Sequence, residues 1–263
     1  MTFRTYIDSL TSIGKYFFTE SDALLKTGLS KIALRSALRR LKKKQEIASP
    51  LRGFYIIVPS EYRSLGCLPP EQFIDDLMRH LKIPYYVGLL SAAQYYGAAH
   101  QKPQVFQVVV GTARRNIQIG RVKIEFTTKS NAEQTMIRQF NTPKGFVRVA
   151  APEAIALDIL AFPHSSGGIG GAFNIFSELS EQFKIEEFAK AIPHVKKIPV
   201  VQRLGYLFDR LGMGNFAKLC EKELKSHRFV RKTALSPQEN PEGAVNKRWN
   251  LIINIDLEEE LDT

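Results

Sequence analysis

Between Lys31 and Lys44 the chain places seven basic side chains and no acid: Lys31, Arg35, Arg39, Arg40, Lys42, Lys43 and Lys44. Cations at this density suit one chemistry, the pairing of phosphate oxygens, and the planar donors of arginine can in addition read base edges. Lys31, Arg35 and Arg39 follow one another at i, i+4, so they share one exposed edge of a helix, where the N-terminal half of a recognition helix meets bases. Arg40, Lys42, Lys43 and Lys44 lie at the far end and suit phosphates. Ser30 and Ser36 complete this candidate DNA-binding surface. The alternative is a solvated helix face whose cations complement the C-terminal end of the macrodipole. Such a face normally mixes signs, with Glu pairing Lys at i, i+4, and this one does not.

The flanking residues specify how the helix is held. Thr19-Glu20-Ser21-Asp22 opens a preceding short helix, with Thr19 as cap and Asp22 reciprocating three residues later. The apolar side of that helix is Ala23, Leu24 and Leu25. Gly28 can take the positive φ of a tight turn, Leu29 can plug the angle between the helices, and Ser30 can cap the next one. Leu34, Ala37, Leu38 and Leu41 then form one buried stripe. After the helix, 46–49 reads as a strand, 50–53 as a turn and 54–58 as a returning strand rich in β-branched and aromatic residues. Arg52 would stand at the hairpin tip, where it reaches a phosphate or the minor groove, or is only a solvated turn residue. Helix, turn, basic helix and hairpin in that order make a winged helix-turn-helix.

With 263 residues the chain has room for two cores. Its 44% hydrophobic and 24% charged content is that of a folded protein. The net charge of +11 favours an anionic partner, and residues 1–66 hold twelve Lys and Arg against five Asp and Glu, so the surplus sits with the motif. The expected class is α+β, an N-terminal winged helix-turn-helix over 1–66 followed by a larger α+β domain over 67–263 with a small sheet and several helices. Pro59, Ser60 and Gly66 mark the linker, across which few contacts need pass. No run of about 18 apolar residues spans a bilayer and residues 1–10 do not read as a signal peptide, so a cytoplasmic protein without a membrane partner is expected. Cys67 and Cys220 are too few and too far apart for a disulfide framework or a zinc knuckle. The histidines, His80, His100, His164, His194 and His227, have no metal-binding spacing, and neither a metal nor a cofactor is expected.

Beyond the linker, a helix from Pro69-Pro70 through Leu81 and a second over 88–96 precede strands at 105–110 and 118–127. Arg114 and Arg115 between the strands, with Arg121 and Lys123, form a second basic surface, open to an RNA, phosphate or toxin contact or simply to solvent. Glu153 and Asp158 follow the helix-starting Pro152, but five-residue spacing does not put them on one face and no nucleophile or ligand accompanies them; a structural role fits better than acid/base chemistry. The Gly-rich stretch 165–171 lacks the Lys-Ser/Thr of a P-loop and reads as a loop into a helix around 173–183. Helices at 185–191, 200–211 and 215–224, a loop at 236–242, a strand at 249–257 and an acidic tail of Glu258, Glu259, Glu260 and Asp262 complete the chain. No catalytic constellation is recognisable.

Taken together these residues resemble the AbiEi family of bacterial antitoxins over nearly the whole length. The N-terminal match is Gly28-Leu29-Ser30, 38–41 and Arg52-Gly53-Phe54-Tyr55. It continues through 88–93 with Tyr96-Gly97, Pro152-Glu153, Leu157-Asp158, Ser166-Gly167-Gly168 and 202–207 to the Trp249 strand with Asn254. The resemblance implies a non-enzymatic protein with two roles in an abortive-infection, phage-defence system. Its winged helix would bind inverted repeats in its own promoter and repress the operon. Its C-terminal domain would counter a cognate AbiEii-like nucleotidyltransferase toxin, often without a stable complex. The alternatives are a ligand-sensing transcriptional regulator without a toxin partner and a nucleic-acid-processing enzyme.

Overall fold

A computed structural model describes residues 1–98 and 104–257; His100 and the acidic tail at 258–263 lie outside the described residues. The chain divides into two compact units, each mixing helix and strand.

The first unit comprises Met1–Val87, Gln104–Gln134 and Arg138–Val149. It opens with α1 (Phe3–Ser12), absent from the sequence reading, whose Phe3, Tyr6, Ile7 and Leu10 recur at i, i+3, i+4, i+7 and are all buried. Then come β1 (Phe17–Thr19), α2 (Glu20–Thr27), α3 (Lys31–Lys43), β2 (Ile47–Leu51) and β3 (Phe54–Ile57). β3 is the centre of a three-stranded antiparallel sheet, flanked by β1 and β2. Phe18 is fully buried at its heart. The Phe3 and Tyr6 rings meet it edge-on at 5.8 and 5.9 Å, and the Tyr55 ring stacks on it at 5.3 Å. Leu34, Ala37 and Leu38 close this core from α3.

The strand hairpin is tighter than the sequence suggested. β2 runs through Pro50 to Leu51, leaving only Arg52 and Gly53 as the turn, with Leu51 opposite Phe54. Pro50 is tolerated because β2 is an edge strand whose register shifts between Ala48 and Leu51.

The same unit holds α4 (Ile74–Leu81) and a six-stranded sheet of β4 (Tyr85–Val87), β5 (Phe106–Val110), β6 (Ile117–Ile119), β7 (Val122–Thr128), β8 (Ile137–Thr142) and β9 (Gly145–Ala150), in the order β6-β7-β5-β4-β9-β8. Two expectations are corrected here, and contacts also cross the linker. The helix through Leu81 begins only at Ile74, after a short 3-10 turn at Pro70–Gln72. The 118–127 strand is a hairpin, broken by Gly120 at φ 56°. The linker does not leave the winged helix free of the remainder, because Arg121 N donates to Leu65 O at 2.9 Å, Gln72 Nε2 to the Tyr62 hydroxyl at 3.2 Å, and the Phe54 and His80 rings lie 5.2 Å apart. The 66/67 boundary read from sequence thus falls inside the first unit, and β6 lies alongside β2.

The second unit takes in the described residues of Gly88–Pro103, Thr135–Ile137 and Ala150–Thr263. Its helices are α5 (Leu89–Ala93), α6 (Pro152–Ala161), α7 (Gly168–Leu179), α8 (Ile185–Ala191), α9 (Ile198–Arg210) and α10 (Gly214–Ser226). Phe176, Phe183, Phe188, Phe208 and Phe216 form a chain of edge-on and tilted ring contacts between 5.1 and 6.2 Å. A small sheet of β10 (Thr233–Ala234), β12 (Leu251–Ile253) and β11 (Ala244–Asn246) has β12 in its centre. The strand expected over 249–257 is confined to its middle, because Asn250 takes a positive φ of 50° and the Asn254 amide turns back to bond Ser236. Asn254 Nδ2 donates to Ser236 O and Asn254 Oδ1 accepts from Ser236 N, both at 2.9 Å.

Candidate nucleic-acid interface

The helix-turn-helix is built by its local chemistry as the sequence indicated. Thr19 Oγ1 accepts from Asp22 N at 3.1 Å and the Asp22 carboxylate accepts from Thr19 N at 3.3 Å, a closed capping box. Gly28 ends α2 in the left-handed region at φ 68°, where a side chain would be strained. Ser30 caps α3 by accepting from Ala33 N at 3.2 Å. The stripe of Leu34, Ala37 and Leu38 turns inward with Leu41 half-buried, which forces the basic face of α3 outward.

Lys31, Arg35, Ser36, Arg39, Arg40, Lys42, Lys43, Lys44 and Ser30 are all exposed, as is Arg52 in the turn between β2 and β3. Among the described residues no carboxylate forms an ion pair with any of these cations. Their charge is left for an external anion. Burial and the Glu20 carboxylate push the Tyr55 phenol up, while Arg35 and Arg52 pull the other way. Arg35 on α3 and Arg52 in the hairpin turn thus both bear on the same hydroxyl. Lys42 is placed differently from its neighbours, with its Nζ 5.2 Å from the centroid of the Tyr55 ring.

Two residues on this surface were missed or misplaced by sequence reasoning. Leu25, grouped with the apolar side of the first helix, is 82% exposed. Ile32, 79% exposed, stands between Lys31 and Arg35 at the second position of α3. The usable signal was its position off the buried stripe; such a side chain can meet a thymine methyl.

The second basic surface lies on the β6–β7 hairpin and the loop before it. Arg115, Arg121 and Lys123 are exposed and Arg114 half-buried. Arg121 sits in the turn after Gly120 rather than within a strand. Since β6 runs beside β2, this hairpin neighbours the wing.

The other polar candidates are structural. Glu153 and Asp158 are each 1% exposed, and Glu153 Oε1 accepts from Lys184 N at 2.8 Å. Burial pushes the Cys67 thiol up to about 12 and raises that of Cys220 further, so neither is a ready nucleophile. Among the described residues no three His, Cys, Asp or Glu side chains gather as metal ligands, and no helix is long and apolar enough to cross a membrane.

Comparison with known proteins gives a family match to part of the chain. Residues 86–210 match the family model described as the AbiEi antitoxin C-terminal domain, a span that takes in parts of both compact units. No curated protein matches the chain. A solved structure titled "Crystal structure of RV2827C protein from Mycobacterium tuberculosis" is similar to it with a TM-score of 0.69 and 16% identity, over 98% of this chain and 92% of that one. At that identity the likeness is one of fold.

Proposed function

We propose that the chain is an antitoxin of a toxin-antitoxin system, a role supported by the match of residues 86–210 to the AbiEi antitoxin C-terminal domain, and that it is also the repressor of its own operon. In this reading α3 enters the major groove of inverted repeats in the promoter, and Arg52 at the wing tip takes a flanking phosphate or the minor groove. Lys31, Arg35 and Arg39 face base edges. Arg40 and Lys43 hold phosphate, and Lys42 does so from its place over Tyr55. The Arg114, Arg115, Arg121 and Lys123 hairpin extends the basic surface beyond the wing. The C-terminal part counters a cognate nucleotidyltransferase toxin of the AbiEii type in the cytoplasm, with no chemical step of its own and no need for a stable complex.

One observation carries the DNA reading: a helix-turn-helix capped at both helices presents an acid-free row of exposed cations that no carboxylate among the described residues neutralises. Footprinting of the full chain on the duplex upstream of its own reading frame tests it. The expected result is protection of two half-sites one helical turn or a multiple apart. Uniform, sequence-independent protection would reduce the surface to a general phosphate contact.

A further inference from the structure

The second unit contains a cavity of about 650 Å³ walled by the end of α6, the start of α9 and residues 229–237. His164, Lys196, Lys197, Arg203 and Arg231 line it, and no aspartate or glutamate does. On its rim stands Phe229, 74% exposed, the one Phe, Tyr or Trp in the exposed class among the described residues. Cations grouped around a ring that water would otherwise cover are what a protein uses to hold a base by stacking and its phosphate by charge.

The rim is pinned. Val230 O accepts from Asn250 Nδ2 at 2.8 Å, Arg231 O accepts from Gln202 Nε2 at 3.0 Å, and Thr233 N donates to Asn250 O at 3.2 Å. These bonds fix the backbone immediately after the ring, so Phe229 and Arg231 are presented by an ordered segment. Arg203 is buried beneath and bound through Nε to Leu235 O at 2.8 Å and through Nη2 to Ala234 O at 2.9 Å. It supplies fixed positive charge to the floor. Lys197, also in the lining, has its Nζ 5.6 Å from the centroid of the Phe162 ring. Arg228 and Lys232, both exposed, flank the rim in a basic run, 225–232, that reads Lys-Ser-His-Arg-Phe-Val-Arg-Lys.

We propose that this cavity binds a nucleoside phosphate whose base is unpaired, the base stacking on Phe229 and the phosphate lying between Lys197 and Arg231. A free nucleotide and the end of a single-stranded RNA share this chemistry. A DNA duplex does not, because its base faces are closed by stacking. The site lies apart from α3 in sequence and stands independently of the promoter reading.

Calorimetry of the full chain with adenosine triphosphate, inorganic triphosphate and a short single-stranded oligoadenylate tests it. Adenosine triphosphate should bind more tightly than triphosphate alone, since only the first carries a base. Phe229→Ala should weaken adenosine triphosphate and oligoadenylate by about tenfold, the double change Lys197→Glu with Arg231→Glu should abolish both, and Lys218→Ala, at an exposed cation of α10 outside the lining, should leave both unchanged. These side chains are exposed, so thermal unfolding should not move. Tighter binding of the oligoadenylate would identify an RNA end as the ligand; equal or weaker binding would identify the mononucleotide. Binding that survives Phe229→Ala, binding lost with Lys218→Ala, or no binding of either adenine probe would each overturn the proposal.

Discussion

The six-membered ring of Trp249 occupies the space that a side chain at Gly205 would need. A Cβ built on Gly205 would stand 2.1 Å from Cζ3 and 2.3 Å from Cη2 of that indole. The indole is completely buried, its Nε1 donates to Asp209 Oδ2 at 2.6 Å one turn along α9, and the backbone carbonyl of Trp249 accepts from Gln202 Nε2 at 2.8 Å. One helix face thus holds Trp249 through a missing side chain and a carboxylate at the indole and an amide at its backbone carbonyl.

Gly205→Ala should therefore destabilise the protein by about 1 to 3 kcal/mol, the usual cost of overpacking a rigid core. On propensity alone the same change would stabilise a helix by about 1 kcal/mol, so the sign of the change decides which effect governs. Thermal unfolding followed by the fluorescence of Trp249, the single tryptophan of the chain, reads it directly. An unchanged or raised midpoint would mean that the indole moves aside freely.

The charges around Trp249 give a pH dependence. Arg248 bridges Asp209 at 2.7 Å and Glu221 at 2.8 Å, and Lys225 bonds Glu221 at 2.6 Å. Lys225 first and Arg248 second hold the Glu221 carboxyl down at about 2, against an ordinary value of 4.5. A depressed carboxyl contributes stability that is complete above 4.5 and is lost as pH falls towards 2. The difference in stability between the protein and its Glu221→Gln variant should accordingly be constant near neutrality, shrink between pH 4.5 and pH 2, and shrink also with added salt. A difference that grew on acidification would contradict the network.

Gly120 tests whether the basic hairpin is fastened to the linker. Its φ is 56° and a Cβ there would fall 2.3 Å from Leu65 O, the acceptor of the Arg121 N–H bond. Gly120→Ala should cost about 1 to 3 kcal/mol and raise amide exchange at Arg121. Undiminished protection at Arg121 would show that the turn absorbs the methyl group.

The cations of α3 should divide by role. Arg35→Ala is expected to weaken specific promoter binding by about 1 to 3 kcal/mol with little effect on unrelated duplexes, as a base-edge contact does. Lys43→Ala should lower affinity for all sequences alike and reduce the slope of log K against log salt by about one. Equal losses on both DNAs for Arg35, or an unchanged slope for Lys43, would reverse the assignments.

Much of this fold was legible where its causes are local. The Thr19–Asp22 capping box, the Gly28 turn, the Ser30 cap and the Leu34, Ala37 and Leu38 stripe each depend on residues within a few positions, and they reappear with the expected partners. α1 was equally readable from Thr2 and the i, i+3, i+4, i+7 spacing of Phe3, Tyr6, Ile7 and Leu10, a pattern that was overlooked. The six-stranded sheet was not. β4 is three residues long and owes its existence to β5 on one side and β9 on the other, pairings remote in sequence, while β8 is exposed over much of its length and lacks an alternating pattern. The fastening of the hairpin to the linker depends on two glycines, Gly66 and Gly120, whose close approach no periodicity reports. In the candidate interface the charges were legible directly, and the exposure of Ile32 only through its position off the Leu34, Ala37 and Leu38 stripe.

The central claim, that promoter reading resides in α3 and toxin neutralisation does not, is tested most directly by growth. The full chain carrying Lys31→Ala, Arg35→Ala and Arg39→Ala, all exposed side chains, is co-expressed with the proposed cognate toxin, from a promoter that neither protein regulates. The account predicts that this triple variant rescues growth as well as the unaltered chain does while failing to repress a reporter driven by its own promoter. Rescue lost together with repression would contradict the account and place neutralisation on the basic N-terminal surface.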